Sequence, residues 1–151
     1  MLPGKFQLGA ISSLCKVKTY AAPIYSPMNA SNNPITIKSA EILDLPWGRI
    51  TWLVSHSLHN SETMTVGRVM IKAGHGNPVH RHPNCDEVLH VLHGRIEHTL
   101  GAAKYVMYAG DAISIPAGEW HNARALDEID AEMVICFSSA NRTTETSGAE
   151  A

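Results

Sequence analysis

The chain has 151 residues, of which 44% are hydrophobic and 17% charged. That length supports one ordinary core, and that composition excludes wholesale disorder and a membrane-dominated protein. With 12 Lys and Arg against 14 Asp and Glu the formal net charge is -2, so no broad positive field exists to hold a nucleic acid backbone, and neither nucleic acid nor membrane is expected as a partner.

Residues 1–34 form the first unit. Lys5, Lys16 and Lys18 have no acidic neighbour there, and Pro3, Pro23, Pro27 and Pro34 forbid a long helix. The segment reads as an arm, apolar enough at Val17, Tyr20, Ile24 and Tyr25 to lie on a partner surface, and a homodimer is expected. The run from Phe6 to Leu14 before Cys15 imitates an export signal poorly, because Gln7 interrupts it and bulky Leu14 stands where a small residue is wanted. Cys15, Cys85 and Cys136 are odd in number and contain no CxxC pair, which points to a reducing compartment and a cytoplasmic protein.

Residues 35–140 have a different texture. Ser39 could cap a short helix within Ser39 to Leu45, with Glu41 in its first turn. Short β-rich runs follow at 50–54, 64–71, 87–92, 96–100, 105–108, 112–115 and 132–137, separated by turn signals such as Trp47-Gly48, Ala73-Gly74, His93-Gly94 and Ala109-Gly110-Asp111. Many short strands with Gly-rich turns predict an all-β sandwich or barrel. Residues 141–151 are Thr, Ser, Glu and Ala with no apolar period and read as a flexible tail.

Seven of the 9 histidines fall between His75 and His121. Within that window His80-Arg81-His82 is an HxH, and on a strand two such imidazoles share a face and can converge on one ion. Glu87 follows and can add a hard carboxylate oxygen, giving a set that leaves coordination positions open. Metallo-β-lactamase-like hydrolases continue HxHxDH, but here Asn84 and Cys85 occupy those places. An amidohydrolase barrel needs roughly 250 residues, more than this chain has.

The spacing resembles the cupin superfamily of small double-sheet jelly-roll barrels. Its first motif is matched by Gly74, His80, His82, Glu87 and Gly94, and its second by Gly110, Pro116, Gly118 and His121, with Ala125 where the family often has Asn. The resemblance implies a double-stranded β-helix over about residues 35–139, with His80, His82, Glu87 and His121 binding one divalent metal. Such a donor set suits Mn or Fe, with Ni and Zn possible.

Beyond the ligands, alternation from Ile96 turns His98 and Leu100 toward the barrel, so His98 is a candidate pocket residue. Arg68, if inward, could clamp a substrate carboxylate; an outward, solvated side chain is the ordinary alternative. Trp120 could wall the pocket, and Cys85 lies in the ligand loop. The resemblance implies a metal-dependent enzyme acting on a small oxygenated metabolite, of dioxygenase, decarboxylase or isomerase type. The competing class is a non-catalytic binding or sensor protein for a sugar or carboxylate.

Overall fold

In a computed structural model of the chain, residues 34–148 are described. The expected arm, apart from Pro34, and Cys15 lie outside them. Among the described residues there is no helix. The strands are β1 Glu41–Leu45, β2 Gly48–Val54, β3 Thr65–Ile71, β4 His80–Arg81, β5 Glu87–His93, β6 Arg95–Leu100, β7 Ala103–Tyr108, β8 Ala112–Ile115, β9 His121–Ala125, β10 Ala131–Phe137 and β11 Glu145–Thr146. They form a six-stranded antiparallel sheet in the order β1-β2-β3-β10-β5-β8 and a five-stranded one in the order β11-β4-β9-β6-β7.

Alternating inward residues explain why these two sheets face one another. On β3, Thr65, Gly67, Val69 and Ile71 are buried, and on β10 so are Ala131, Met133, Ile135 and Phe137. The opposite sheet contributes Ile96, Ala123 and Ala125. Period-two burial on both sheets places one apolar layer between them. Gly67 is required by a close approach: a Cβ there would stand 2.7 Å from the Trp52 ring. Its absence lets Trp52 lie flat across β3.

Three expectations change. Glu41–Leu45 is a strand, because Pro46-Trp47 turns the chain so that Glu41 to Leu45 pair with Trp52 to Gly48. Ser39 points backward instead of capping a helix, its hydroxyl donating to the Thr36 carbonyl at 3.0 Å. Residues 141–147, expected as part of a flexible tail, lie along the barrel. Asn84 donates to the Asn141 carbonyl at 2.8 Å and accepts from the Thr143 amide at 2.9 Å. Glu145 and Thr146 pair with Arg81 and His80, and Ser147 donates to the Val79 carbonyl at 3.0 Å. Hydrogen bonding holds this strap, a means invisible to a search for apolar period.

Candidate metal centre

His80 opens the short strand β4, and its register partner on β9 is His121. Pairing a motif residue with a motif residue brings two imidazoles side by side, with ring centroids 4.3 Å apart. His82 follows on the chain, and Gly118 in the β8–β9 turn, at a φ of 82° that favours glycine, donates its amide to the His82 carbonyl at 2.9 Å. Glu87 begins β5 in the other sheet and faces inward, 4% exposed. Ligand atoms of His80, His82, Glu87 and His121 all lie within 4.8 Å of one another, a group that could hold one metal ion.

The orientation of each imidazole is set from behind. Nδ1 of His80 donates to the Pro78 carbonyl at 2.9 Å, that of His82 to the Thr143 carbonyl at 2.8 Å, and that of His121 to the Glu119 carbonyl at 2.9 Å. A carbonyl only accepts, so each Nδ1 carries a proton and each ring turns its Nε2 toward the cluster, a lone pair for a metal ion once that nitrogen is unprotonated. His82 Nε2 is buried without a hydrogen-bond partner, 3.3 Å from a Glu87 oxygen. His121 Nε2 stands 3.1 Å from the same oxygen. Lone pairs facing a carboxylate repel unless a proton or a metal cation stands between them.

The electrostatics follow from that crowding. Burial acts most strongly on Glu87 and favours its neutral form, yet the hydrogen bond from His121, the close approach of His82 and the charge of both together outweigh it and hold the carboxyl well below its usual range. His121 is raised in turn: burial opposes its charged form, and Glu87 overcomes burial. His80 is lowered to about 4 by burial and then by His121, so it stays a neutral donor. Donor atoms each roughly 2.1 Å from one ion can stand at most about 4.2 Å apart, so these four side chains, within 4.8 Å of one another, would hold an ion after a small contraction. The residues present fit a divalent metal.

The cluster opens into a cavity of about 260 Å³ walled by Trp52, Val69, Ile71, Met133, Ile135 and Phe137. His98 lines it, wholly buried, stacked on His121 with ring centroids 5.9 Å apart, and neither ring nitrogen has a partner. Burial, with His121 adding to it, lowers His98 to about 4, so it is a neutral imidazole offering one N–H and one lone pair.

Arg68 does not reach the cavity. It lies on the outer face of β3, exposed and ion-paired with Glu132, because its neighbours Gly67 and Val69 take the inward positions. Trp120 lies beneath the Arg81 guanidinium, 4.7 Å from its ring centroid, outside the cavity. Cys85 packs into the core and does not line the cavity, His75, His90 and His93 are exposed, and Ala125 is buried on β9. Sequence reading missed the wall formed by residues 142–146. Arg142, Thr144 and Thr146 all line the cavity, and the only sequence signal was an arginine just beyond the last apolar strand.

A two-sheet jelly roll enclosing three imidazoles and a carboxylate defines a class of small metal-binding barrels. Residues 67–137 match the family model described as Cupin domain, which together with the relatives that follow supports membership of the cupin superfamily. It is similar to quercetin 2,3-dioxygenase of Bacillus subtilis, 38% identical over 58 residues that cover 37% of this chain and 17% of that protein. It is also similar to Germin-like protein 3-8 of Oryza sativa subsp. japonica, 27% identical over 85 residues that cover 53% and 38%. Among solved structures, oxalate decarboxylase of Bacillus subtilis superposes with a TM-score of 0.67 at 18% identity, covering 74% of this chain and 31% of that one. The Lactobacillus farciminis oxalate decarboxylase formate complex gives 0.67 at 16%, covering 73% and 34%. This chain thus spans well under half the length of these relatives, and at such identities the structural likeness establishes the fold.

Proposed function

We propose that the chain is a metal-dependent enzyme acting on a small oxygenated metabolite, with His80, His82, Glu87 and His121 as ligands of one divalent ion. The observation that carries this reading is the set of three Nδ1–H···O=C bonds, which turn three Nε2 atoms toward one buried carboxylate. Mn or Fe is favoured over copper by the hard Glu87 oxygen and, among the described residues, the absence of a thiol from the cavity lining. The Mn(II) centres of the structurally similar Bacillus subtilis oxalate decarboxylase support the same choice. The metal, when bound, supplies Lewis-acid polarisation of a coordinated oxygen and, if it is Mn or Fe, access to oxygen chemistry.

The chain's own residues do the rest. Ile71, Met133 and Phe137 exclude water from one side of a bound molecule, which strengthens every polar contact made on the other. Neutral His98 presents its N–H, or accepts a proton at its free nitrogen, beside the ligand cluster. Free Cys85 and Cys136 fit a cytoplasmic protein. Exposed apolar residues on the edge strands β1 and β7, Ile42, Leu43, Tyr105, Val106 and Tyr108, support a homodimer completed by the arm. Light scattering that shows the same mass before and after deletion of residues 1–34 removes the arm from the assembly.

Elemental analysis of protein purified without added metal tests the central reading, and about one Mn or Fe per chain is expected. Screening small carboxylates, hydroxy-ketones and sugars with that protein should give turnover of one class, with oxygen uptake if the chemistry is oxidative. Binding of several classes with turnover of none replaces the enzyme with a binding or sensor protein.

A further inference from the structure

The strap brings one permanent cation to the cavity. Among the described arginines, Arg49, Arg68, Arg81 and Arg95 are each ion-paired with a carboxylate, and Arg124 is exposed on β9. Arg142 is different. It is half-buried, lines the cavity, and forms no ion pair with a described carboxylate. Its guanidinium carbon lies 4.0 Å from the Trp52 ring centroid and 5.1 Å from that of Phe137. Phe137 in turn meets the His82 ring, centroids 4.8 Å apart, so the cation and the ligand cluster share one aromatic wall.

The guanidinium is oriented but largely uncommitted. One nitrogen donates to the Thr144 hydroxyl at 2.7 Å, which leaves most of its five N–H donors free. Aromatic faces hold a cation in place without neutralising it. Arg142 also borders a surface groove with Trp52, Thr65 and Asn141, so it stands where the cavity meets the surface. Glu41 is the acid of that groove, and it makes no ion pair with Arg142. Burial is the strongest influence on the Arg142 pKa and lowers it, opposed by the charge of Glu87 and then of Cys85 and Glu41, none of which forms an ion pair with it.

We propose that Arg142 is the substrate-anchoring residue of the cavity and that the substrate is a small organic acid with two oxygen functions on an apolar body. A carboxylate at one end meets the planar guanidinium by paired hydrogen bonds. The middle lies on Trp52 and Met133, and the oxygen function at the other end reaches the metal ligands. This rests on the metal reading above for its far end and is independent of that reading at Arg142. The apolar wall makes a sugar, which needs hydrogen bonds all round, a poorer fit.

The test uses the linear dicarboxylates succinate, glutarate and adipate, each beside its neutral dimethyl ester, with the Mn(II)-loaded chain of residues 1–151. Binding is read from Trp fluorescence, because Trp52 touches Arg142, and from the paramagnetic resonance spectrum of bound Mn(II). One member of the series should bind the wild type best. Arg142→Gln should weaken it on the order of 10- to 100-fold while changing the affinity for its neutral dimethyl ester less than about twofold. Arg142→Met, which keeps the packing on Trp52 and Phe137, should show the same loss, and it decides the matter if Arg142→Gln does not fold. Undiminished dicarboxylate affinity in either folded variant overturns the proposal, as does failure of every dicarboxylate to bind the wild type. Mn(II) stoichiometry in the same samples separates the two readings. Failure of the wild type to take up Mn(II) or Fe(II) sinks the metal reading, and fluorescence titration of metal-free wild type against the variants then decides Arg142 alone.

Discussion

The β3–β10 pair and the strap of residues 141–147 both wall the cavity, and they are held there by opposite means. β3 and β10 run side by side with Val69 opposite Met133 and Ile71 opposite Ala131, and their inward side chains are buried almost completely. The strap buries little. It is attached through Asn84, Arg81, His82 and the Val79 carbonyl. Apolar burial supplies stability in proportion to area and has no direction, whereas hydrogen bonds contribute about 1 kcal/mol each but fix atoms in place. One wall therefore carries the fold, and the other orients His82 and presents Arg142.

That contrast can be broken in order of effect. Removing a ligand acts on the cluster both walls serve: His82→Ala and Glu87→Ala should each abolish most metal binding in elemental analysis. The thermal stabilisation that added Mn(II) gives the wild type should vanish with it. Unchanged stoichiometry in both variants would remove the metal assignment.

In the apolar wall, Ile71→Ala should cost about 2 to 5 kcal/mol in denaturant unfolding, because a fully buried side chain leaves a cavity that the paired strands cannot close. Metal stoichiometry of the folded fraction should be unchanged. A loss below about 1 kcal/mol would mean that β3 does not carry the core.

In the polar wall the balance should reverse. Asn84→Ala deletes three contacts to the strap, two to Thr143 and one to the Asn141 carbonyl. It should cost only about 1 to 2 kcal/mol of stability. Because the Thr143 carbonyl orients the His82 ring, metal affinity should fall on the order of tenfold in a chelator competition. Equal affinity would show that the strap is not needed to aim His82.

The smallest effect should come from Arg68→Ala. An exposed pair with Glu132 contributes about 0 to 1 kcal/mol. Metal binding and the dicarboxylate titration should be indistinguishable from wild type, which sharpens the distinction between the arginine outside the cavity and the one lining it.

Where side-chain direction follows from a short-range rule, the amino-acid sequence was enough. Strand alternation turned Ile96 and His98 inward together, and both are buried. The spacings from Gly74 to Gly94 and from Gly110 to His121 resemble the two cupin motifs, and that resemblance implied the four members of the cluster that the fold brings together. For Arg68 the outward alternative, the ordinary place of a solvated arginine, is the one found, since a residue between inward Gly67 and Val69 must face away.

Long-range contacts decided what no local pattern records. Glu41–Leu45 is a strand because β2 supplies a partner for its backbone, and that pairing overrides the capping chemistry of Ser39. Residues 141–147 carry no period, since a strap held by side-chain and carbonyl hydrogen bonds needs none. The partner of the Thr143 carbonyl is His82, 61 residues earlier in the chain. Arg142 reaches the cavity for the same reason. Its place depends on Trp52 lying flat over Gly67, and on Phe137 at the end of β10, aromatic surfaces brought together only when the two sheets close.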